Sequence, residues 1–327
     1  VSFGARSIAE LSDGRSQAAL HRHSFNALGG LNELQLWSGS EEQAEQHFSA
    51  LVAEVRRIER LWSRYLGDSI LSKINSSAGS DRRIEVDSET AEIIDYGALL
   101  FRESAKRFDL TSGVLRRIWN FRTEQLPTQV PTSAQISETL SMIGWHRVEW
   151  QRPWIRLPIS GMELDLGGIG KEYAVDRCAG LALERGIIAG LINLGGDVRV
   201  FGQQPNGLPW QVGIVDPRDQ SKVLATVLLK SGSLATSGDY QRFFIRDGVR
   251  YCHIMNAQTG RPVTGFQSVS VLSQSCLIAG SATSLAMLFG EVRGVRYLNE
   301  LGLPWLAVTA TGRQMRGGGW LVEEAQR

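Results

Sequence analysis

The sequence predicts an α+β fold of mixed, largely antiparallel sheets with packed helices. Three observations carry this prediction. Helical patterns of apolar residues dominate the stretch from residue 42 to 107 and return near 171 and 281. Short runs rich in β-branched and aromatic residues fill the stretch between about 190 and 272. The turn signals between those runs are hairpin turns, whereas a parallel sheet needs helical crossovers.

In chain order, Glu42 to Trp62 reads as an amphipathic helix, with Phe48, Leu51, Val52, Val55, Ile58 and Trp62 at helical spacing. A second helix is expected from Ser88, a candidate N-cap, to Arg107. Glu124 to Ser133, with two prolines, reads as a loop or subdomain boundary. The next helix runs from Lys171 to Gly186, a natural C-terminal stop. Strands are expected at Leu191 to Leu194, Trp210 to Val215, Val223 to Leu229 and Ser268 to Leu272. Phe243 to Tyr251 forms a hairpin turning at Asp247-Gly248. Helices then start near Ser281 and cover Glu291 to Leu301. Strands at Pro304 to Ala310 and Trp320 to Val322 close the chain around Thr311-Gly312.

The 327 residues are enough for one large domain or two ordinary ones, and 43% hydrophobic with 21% charged residues is the composition of a globular protein. A net charge of +1 argues against electrostatically driven nucleic-acid binding. No uninterrupted apolar run reaches the length of a membrane span; Cys276 to Gly290 is short and broken by Ser281, Thr283 and Ser284. Cys178, Cys252 and Cys276 lack metal-cluster spacing and permit at most one bridge. The N-terminus starts at Val1 without a charged-then-apolar signal pattern, which leaves room for a leader already removed.

Four segments have the residue types of a phosphate-ligand site. In Met162 to Arg177 an apolar run ends in Asp165, then Gly167, Gly168 and Gly170, then Lys171 opening a helix. That order can set backbone N–H groups, a helix N-terminus and a cation around a phosphate. It matches neither a Walker A ending nor dinucleotide-fingerprint spacing, and a tight structural turn would need the same glycines. Asn193-Leu-Gly-Gly-Asp197 permits close backbone approach, with Asp197 facing a sugar hydroxyl, or is a bulge. Ala235 to Tyr240 brings Thr236 and Ser237, and His253 to Pro262 carries the one histidine embedded in such a cluster. Ala279-Gly-Ser-Ala-Thr-Ser284 places small and hydroxyl residues at an expected helix start, as an anion site or as an ordinary cap. No His-Glu-x-x-His helix or Gly-x-Ser-x-Gly elbow is present.

With Phe25 to Gly29, Trp62 to Ser69, Ile74-Asn75, Phe108 to Leu115 and Ile118 to Phe121, these segments resemble, in the same order, the ApbE family of FAD:protein FMN transferases. The resemblance spans roughly residues 22 to 322. It implies a T-fold-like domain over 22–327 behind an N-terminal extension 1–21, with a possible subdomain boundary near 124–133. It also implies a periplasmic or membrane-associated enzyme that binds FAD and Mg²⁺. Such an enzyme transfers FMN to a Thr or Ser hydroxyl of an acceptor flavoprotein, in a segment like Asp-x-x-Ser/Thr-Gly-Ala-Thr, and releases AMP. By the same resemblance the FAD contacts fall on Leu28, Tyr65, Phe108, Asp109, Leu110, Asp165, Lys171 and Met255. His253 is the base, and Gly168 and Ser284 remain as metal ligands.

The departures cluster at the pyrophosphate. Gly280 stands where the family has its metal-binding Asp, Ser284 where it has Thr, and Glu172 where a Gly follows the Lys. Asn256-Ala257 replaces Asp-Pro. Losing a carboxylate weakens a hard-dication site, so on sequence alone Gly280→Asp should strengthen Mg²⁺ binding. Alternatives to an active transferase are an FAD-binding or flavoprotein-assembly homologue and an FAD pyrophosphatase.

Overall fold

The computed structural model describes residues 18–121 and 129–320. Its centre is an eight-stranded sheet of Ala19–Ala27, Gly30–Ser38, Gly190–Leu194, Asp197–Phe201, Gly232–Gly238, Phe266–Ser273, Trp305–Thr309 and Gln314–Gly317. Every neighbouring pair is antiparallel, and the strands lie side by side in chain order. The predicted fold class therefore holds, with everything else inserted between consecutive strands of one meander. The first strand begins at Ala19, so the expected edge of the extension at residue 21 falls inside it.

The helices are α1 Glu41–Trp62, α2 Ile70–Ser76, α3 Ser88–Glu103, α4 Ser133–Leu140, α5 Gly170–Glu184 and α6 Cys276–Leu301. Helix α1 starts because Ser40 accepts the Gln43 N–H, and it buries Ala44, Phe48, Leu51, Val52, Val55, Ile58 and Trp62. Each large apolar side chain in that stripe contributes about 1.5–3 kcal/mol of burial. In α3 the cap is Asp87, not Ser88, and the helix stops at Glu103 because Ala105 and Lys106 take positive φ. The expected helix to Arg107 was four residues too long for that reason.

Alternate faces of the sheet carry separate cores. Leu34, Leu36, Ile192 and Leu194 meet α1, α5 and α6 on one face. Leu191, Val198, Val200 and Leu234 meet the hairpin Trp210–Val215 and Val223–Leu229 on the other. The hairpin Phe243–Arg246 with Val249–Cys252 turns at Asp247 (φ 49°) and Gly248 (φ 75°), as its Asp-Gly pair requires. It packs Phe244 and Tyr251 on Trp119 in a third, smaller cluster.

Two expectations are corrected near the C-terminus. The closing strand is Gln314–Gly317, while Trp320 follows a turn and 321–322 lie outside the described residues. Helix α6 starts at Cys276, five residues before Ser281. Its N-terminus is held by Ser275 and by Asp176 of α5, which accepts the Ser275 hydroxyl and the N–H groups of Cys276 and Leu277. It kinks at Gly290 (φ 73°), which explains the two expected helices. By length and composition α6 could cross a membrane, unlike any uninterrupted run in the sequence; more than half of that stretch is buried against the protein. The three cysteines are free and buried.

Candidate active site

Met162 to Leu166 is extended backbone rather than a ladder strand, bridged only at Glu163 to Ser112. Alternation decides its faces: Met162, Leu164 and Leu166 point into the core, while Glu163 lies buried under Arg116 and Arg117 and Asp165 is half-buried on the other side. Asn75 clamps the run, donating to the Leu164 carbonyl at 3.0 Å and accepting its N–H at 2.7 Å. Asp165 pairs with Arg64 and accepts the Gly167 N–H at 2.9 Å, which folds the chain into the Gly167-Gly168 turn. Phe108 lies over that turn; a Cβ on Gly168 would come within 3.1 Å of its ring. Helix α5 then begins at Gly170 behind Ile169, whose side chain makes no cap.

Lys171 extends from the first turn of α5 across the Gly195-Gly196 hairpin turn to Asp197, Nζ to Oδ2 2.6 Å. Gly195 (φ 59°) lets the Lys171 stem lie 3.4 Å from where its Cβ would stand. Asp197 is 2% exposed and also accepts the Thr236 N–H at 3.2 Å. It therefore binds the fold together and is not free for a sugar hydroxyl. Burial alone would lower the Lys171 pKa, but the Asp197 and Glu172 carboxylates outweigh it and hold the ammonium charged.

The third and fourth segments meet through hydroxyls. Ser237 Oγ lies 2.8 Å from Thr283 Oγ1 and 3.4 Å from Ser284 Oγ. Thr283 Oγ1 donates to the Gly280 carbonyl at 2.8 Å. The Ala279–Ser284 segment is thus the interior of α6, and the anion site expected of a helix start there is replaced by the Asp176 cap.

Position 280 has a specific neighbour. A Cβ built on Gly280 would lie 2.5 Å from Cγ of Glu172 and 3.0 Å from its Oε1. Glu172 is buried, and its Oε2 has no hydrogen-bond partner. Burial and the nearby Asp197 carboxylate push its pKa well above the usual carboxylate range.

His253 follows the hairpin, with its N–H on the Arg242 carbonyl at 3.0 Å and its Nδ1 buried and unpartnered. Burial and the Arg242 guanidinium lower its pKa to about 4, so the imidazole is neutral near pH 7. Met255 sits two residues on, against the Trp119 cluster. The Ala257 N–H on the Arg107 carbonyl, 3.0 Å, ties this stretch to Phe108.

The remaining sequence candidates divide. Leu28 occupies the hairpin turn at φ 55°, its N–H held by Glu59 at 2.7 Å. Tyr65 is 64% exposed, with the Arg64 guanidinium over its ring. Asp109 and Leu110 face inward instead. Asp109 accepts the Thr111 N–H and hydroxyl and the Trp145 N–H, and Leu110 packs on Gly97. Those two side chains make contacts within the fold. Arg64, Glu172 and Asp176 carried no role in the sequence reading; the signal for Glu172 was its place beside Lys171. Among the described residues no three His, Cys, Asp or Glu side chains gather as a metal cage.

A model of the ApbE family matches residues 29–307. The FAD:protein FMN transferase of Vibrio cholerae serotype O1 is 31% identical over 251 residues, covering 76% of this chain and 75% of that protein. The one from Rhodobacter capsulatus is 29% identical over 85% of this chain, which spans about half (53%) of its length. Among solved structures, the ApbE protein of Thermotoga maritima superposes with a TM-score of 0.82 at 30% identity, over 91% of this chain and 97% of that one. The flavin transferase ApbE of Vibrio cholerae also gives 0.82, at 26% identity over 93% and 98%.

Proposed function

The chain belongs to the ApbE family, and from that premise we propose that it is an FAD:protein FMN transferase acting on a Thr or Ser of an acceptor flavoprotein. The observation that carries this reading is convergence. Four segments separated in sequence meet through Lys171 with Asp197, Thr236 with Asp197, and Ser237 with Thr283 and Ser284.

The chemistry is displacement at phosphorus. The acceptor hydroxyl oxygen bonds to the phosphorus of the FMN half of FAD, the pyrophosphate P–O bond breaks, and AMP leaves. The uncapped start of α5 offers positive potential to the phosphates, with Lys171 fixed beside it by Asp197. The hydroxyl proton passes to the unpartnered Nδ1 of His253, which is neutral and able to accept it. A bound pyrophosphate favours the imidazolium, which raises the low pKa of that histidine toward its working range. Phe108 over the Gly168 turn, exposed Tyr65 and Met255 supply apolar surface for the flavin.

Mg²⁺ fits the donor set, which is all oxygen: the hydroxyls of Ser284, Ser237 and Thr283, with the Gly168 carbonyl at the turn, suit a hard dication. When bound it neutralises phosphate charge as the leaving group departs. The acceptor segment is read as Asp-x-x-Ser/Thr-Gly-Ala-Thr, and the site of action as the periplasm or a membrane surface.

The test is incubation with FAD, Mg²⁺ and a protein bearing that segment, followed by covalent flavin fluorescence on a denaturing gel. Labelling with stoichiometric AMP is expected. No labelling where a V. cholerae-type transferase labels fully would overturn the reading. Gly280 favours one second reading, an FAD-binding homologue without transfer; FAD binding with no AMP release identifies it. FMN and AMP formed without acceptor would instead identify a pyrophosphatase.

A further inference from the structure

We infer that Glu172 supplies the carboxylate of a divalent-cation site between α5 and α6, replacing from one helix the acid that position 280 lacks on the other. The inference deepens the FAD-transfer reading and rests on it for the phosphate ligand.

Three observations support it. First, the space that a side chain at 280 would enter is already filled by Glu172: the built Cβ meets Cγ at 2.5 Å and the carboxylate carbon at 3.1 Å. Gly at 172 with an acid at 280, or Glu at 172 with Gly at 280, each puts one carboxylate between the same two helices. With the Glu172 side chain where it lies, a Cβ at 280 does not fit beside it. Second, Glu172 Oε2 is buried with no partner. The adjacent cation, Lys171, is committed to Asp197 at 2.6 Å. A buried acid oxygen without a hydrogen-bond partner is costly, and a bound cation would satisfy it. Third, hydroxyl oxygens stand on the same side. Ser284 lies one turn beyond Gly280 and therefore on its face of α6, with Ser237 3.4 Å away. One carboxylate with neutral oxygens and substrate phosphates is the donor set of Mg²⁺ or Mn²⁺, not of a thiophilic metal.

The reaction needs no new step for this assignment. It states which side chain of this protein binds the cation and why Gly280 is tolerated. Glu172 acts on the ion, not on the reacting phosphorus.

The experiment titrates Mn²⁺ alone, read by electron paramagnetic resonance of the free ion, into wild type, Glu172→Gln, and the exchange variant Glu172→Gly with Gly280→Asp. FAD binding is then measured by flavin fluorescence with and without Mn²⁺. Glu172→Gln should weaken Mn²⁺ binding at least ~10-fold, and the exchange variant should recover it to within about 3-fold. Glu172→Gln keeps the shape of the side chain, and circular dichroism and melting confirm that it folds. Equal Mn²⁺ affinity in wild type and Glu172→Gln, or no Mn²⁺ binding by wild type, would overturn the inference. Mn²⁺ binding that depends on Glu172 without any FAD binding would support it while overturning the transferase reading. FAD binding with the same Mn²⁺ dependence in wild type and Glu172→Gln would do the reverse.

Discussion

Two neighbouring residues at the start of α5 have opposite fates. Lys171 reaches a buried carboxylate, Asp197, which is also bonded to the Thr236 N–H. Glu172 turns the other way, onto Gly280, and leaves Oε2 without a partner. The unpartnered Nδ1 of His253 belongs with Glu172 in this respect. One region is a closed polar network, which stabilises the fold once its partners are present. The other holds buried polar atoms unsatisfied, and a folded protein keeps such atoms at a cost of stability. The difference separates side chains that build the site from side chains that wait for a ligand.

The largest effect should come from opening the closed network. Asp197→Ala removes the buried partner of half-buried Lys171 and of the Thr236 N–H, and should cost about 3 kcal/mol in urea denaturation. A loss under about 1 kcal/mol would mean that this pair behaves as a surface ion pair and that the contrast is false.

The next effect is a pH dependence. His253 is lowered to about 4 from an ordinary value of 6.5. The unfolded chain therefore binds a proton between those values that the folded chain does not. Stability is complete above about pH 6.5 and falls as pH drops toward 4, by up to ~3 kcal/mol. His253→Gln should flatten that window; identical pH profiles of melting would show that this imidazole is not sequestered.

A smaller loss is expected for Gly280→Asp alone. The sequence favoured this change as a repair of the metal site, but the structure reverses the expectation, because the new Cβ meets Glu172 Cγ at 2.5 Å. Overpacking and a second acid should destabilise the protein by about 1–3 kcal/mol and weaken Mn²⁺ binding. Adding Glu172→Gly should remove the loss. Tighter Mn²⁺ binding by Gly280→Asp alone would show that both carboxylates fit.

The smallest effect carries the opposite sign. Glu172→Gln relieves an unpaired buried acid, so without metal it should stabilise the protein at pH 8 by roughly 1 kcal/mol or less. With Mn²⁺ and FAD present it should melt lower than wild type. A destabilised metal-free variant would place Glu172 in the closed network instead.

Much of the fold was legible in the chain. The stripe of α1, the Asp247-Gly248 turn and the strands Trp210–Val215 and Val223–Leu229 follow from period and turn chemistry, which are local properties. The errors lie where a distant residue decides. Helix α6 starts at Cys276 because Asp176, a hundred residues earlier, caps it. The Thr111 and Trp145 N–H groups that the Asp109 carboxylate accepts are a tertiary arrangement that the motif around Asp109 does not display.

By itself the sequence determined the family-like order of glycine-rich and hydroxyl segments, the α+β class and the presence of Gly at 280. The tertiary structure alone decided which of those segments touch, which carboxylates are paired, and that Glu172 fills the space above Gly280. The reason is physical. Periodicity and turn preference depend on residues a few positions apart, whereas pairing, burial and steric exclusion depend on which helices pack together, and α5 and α6 begin more than a hundred residues apart.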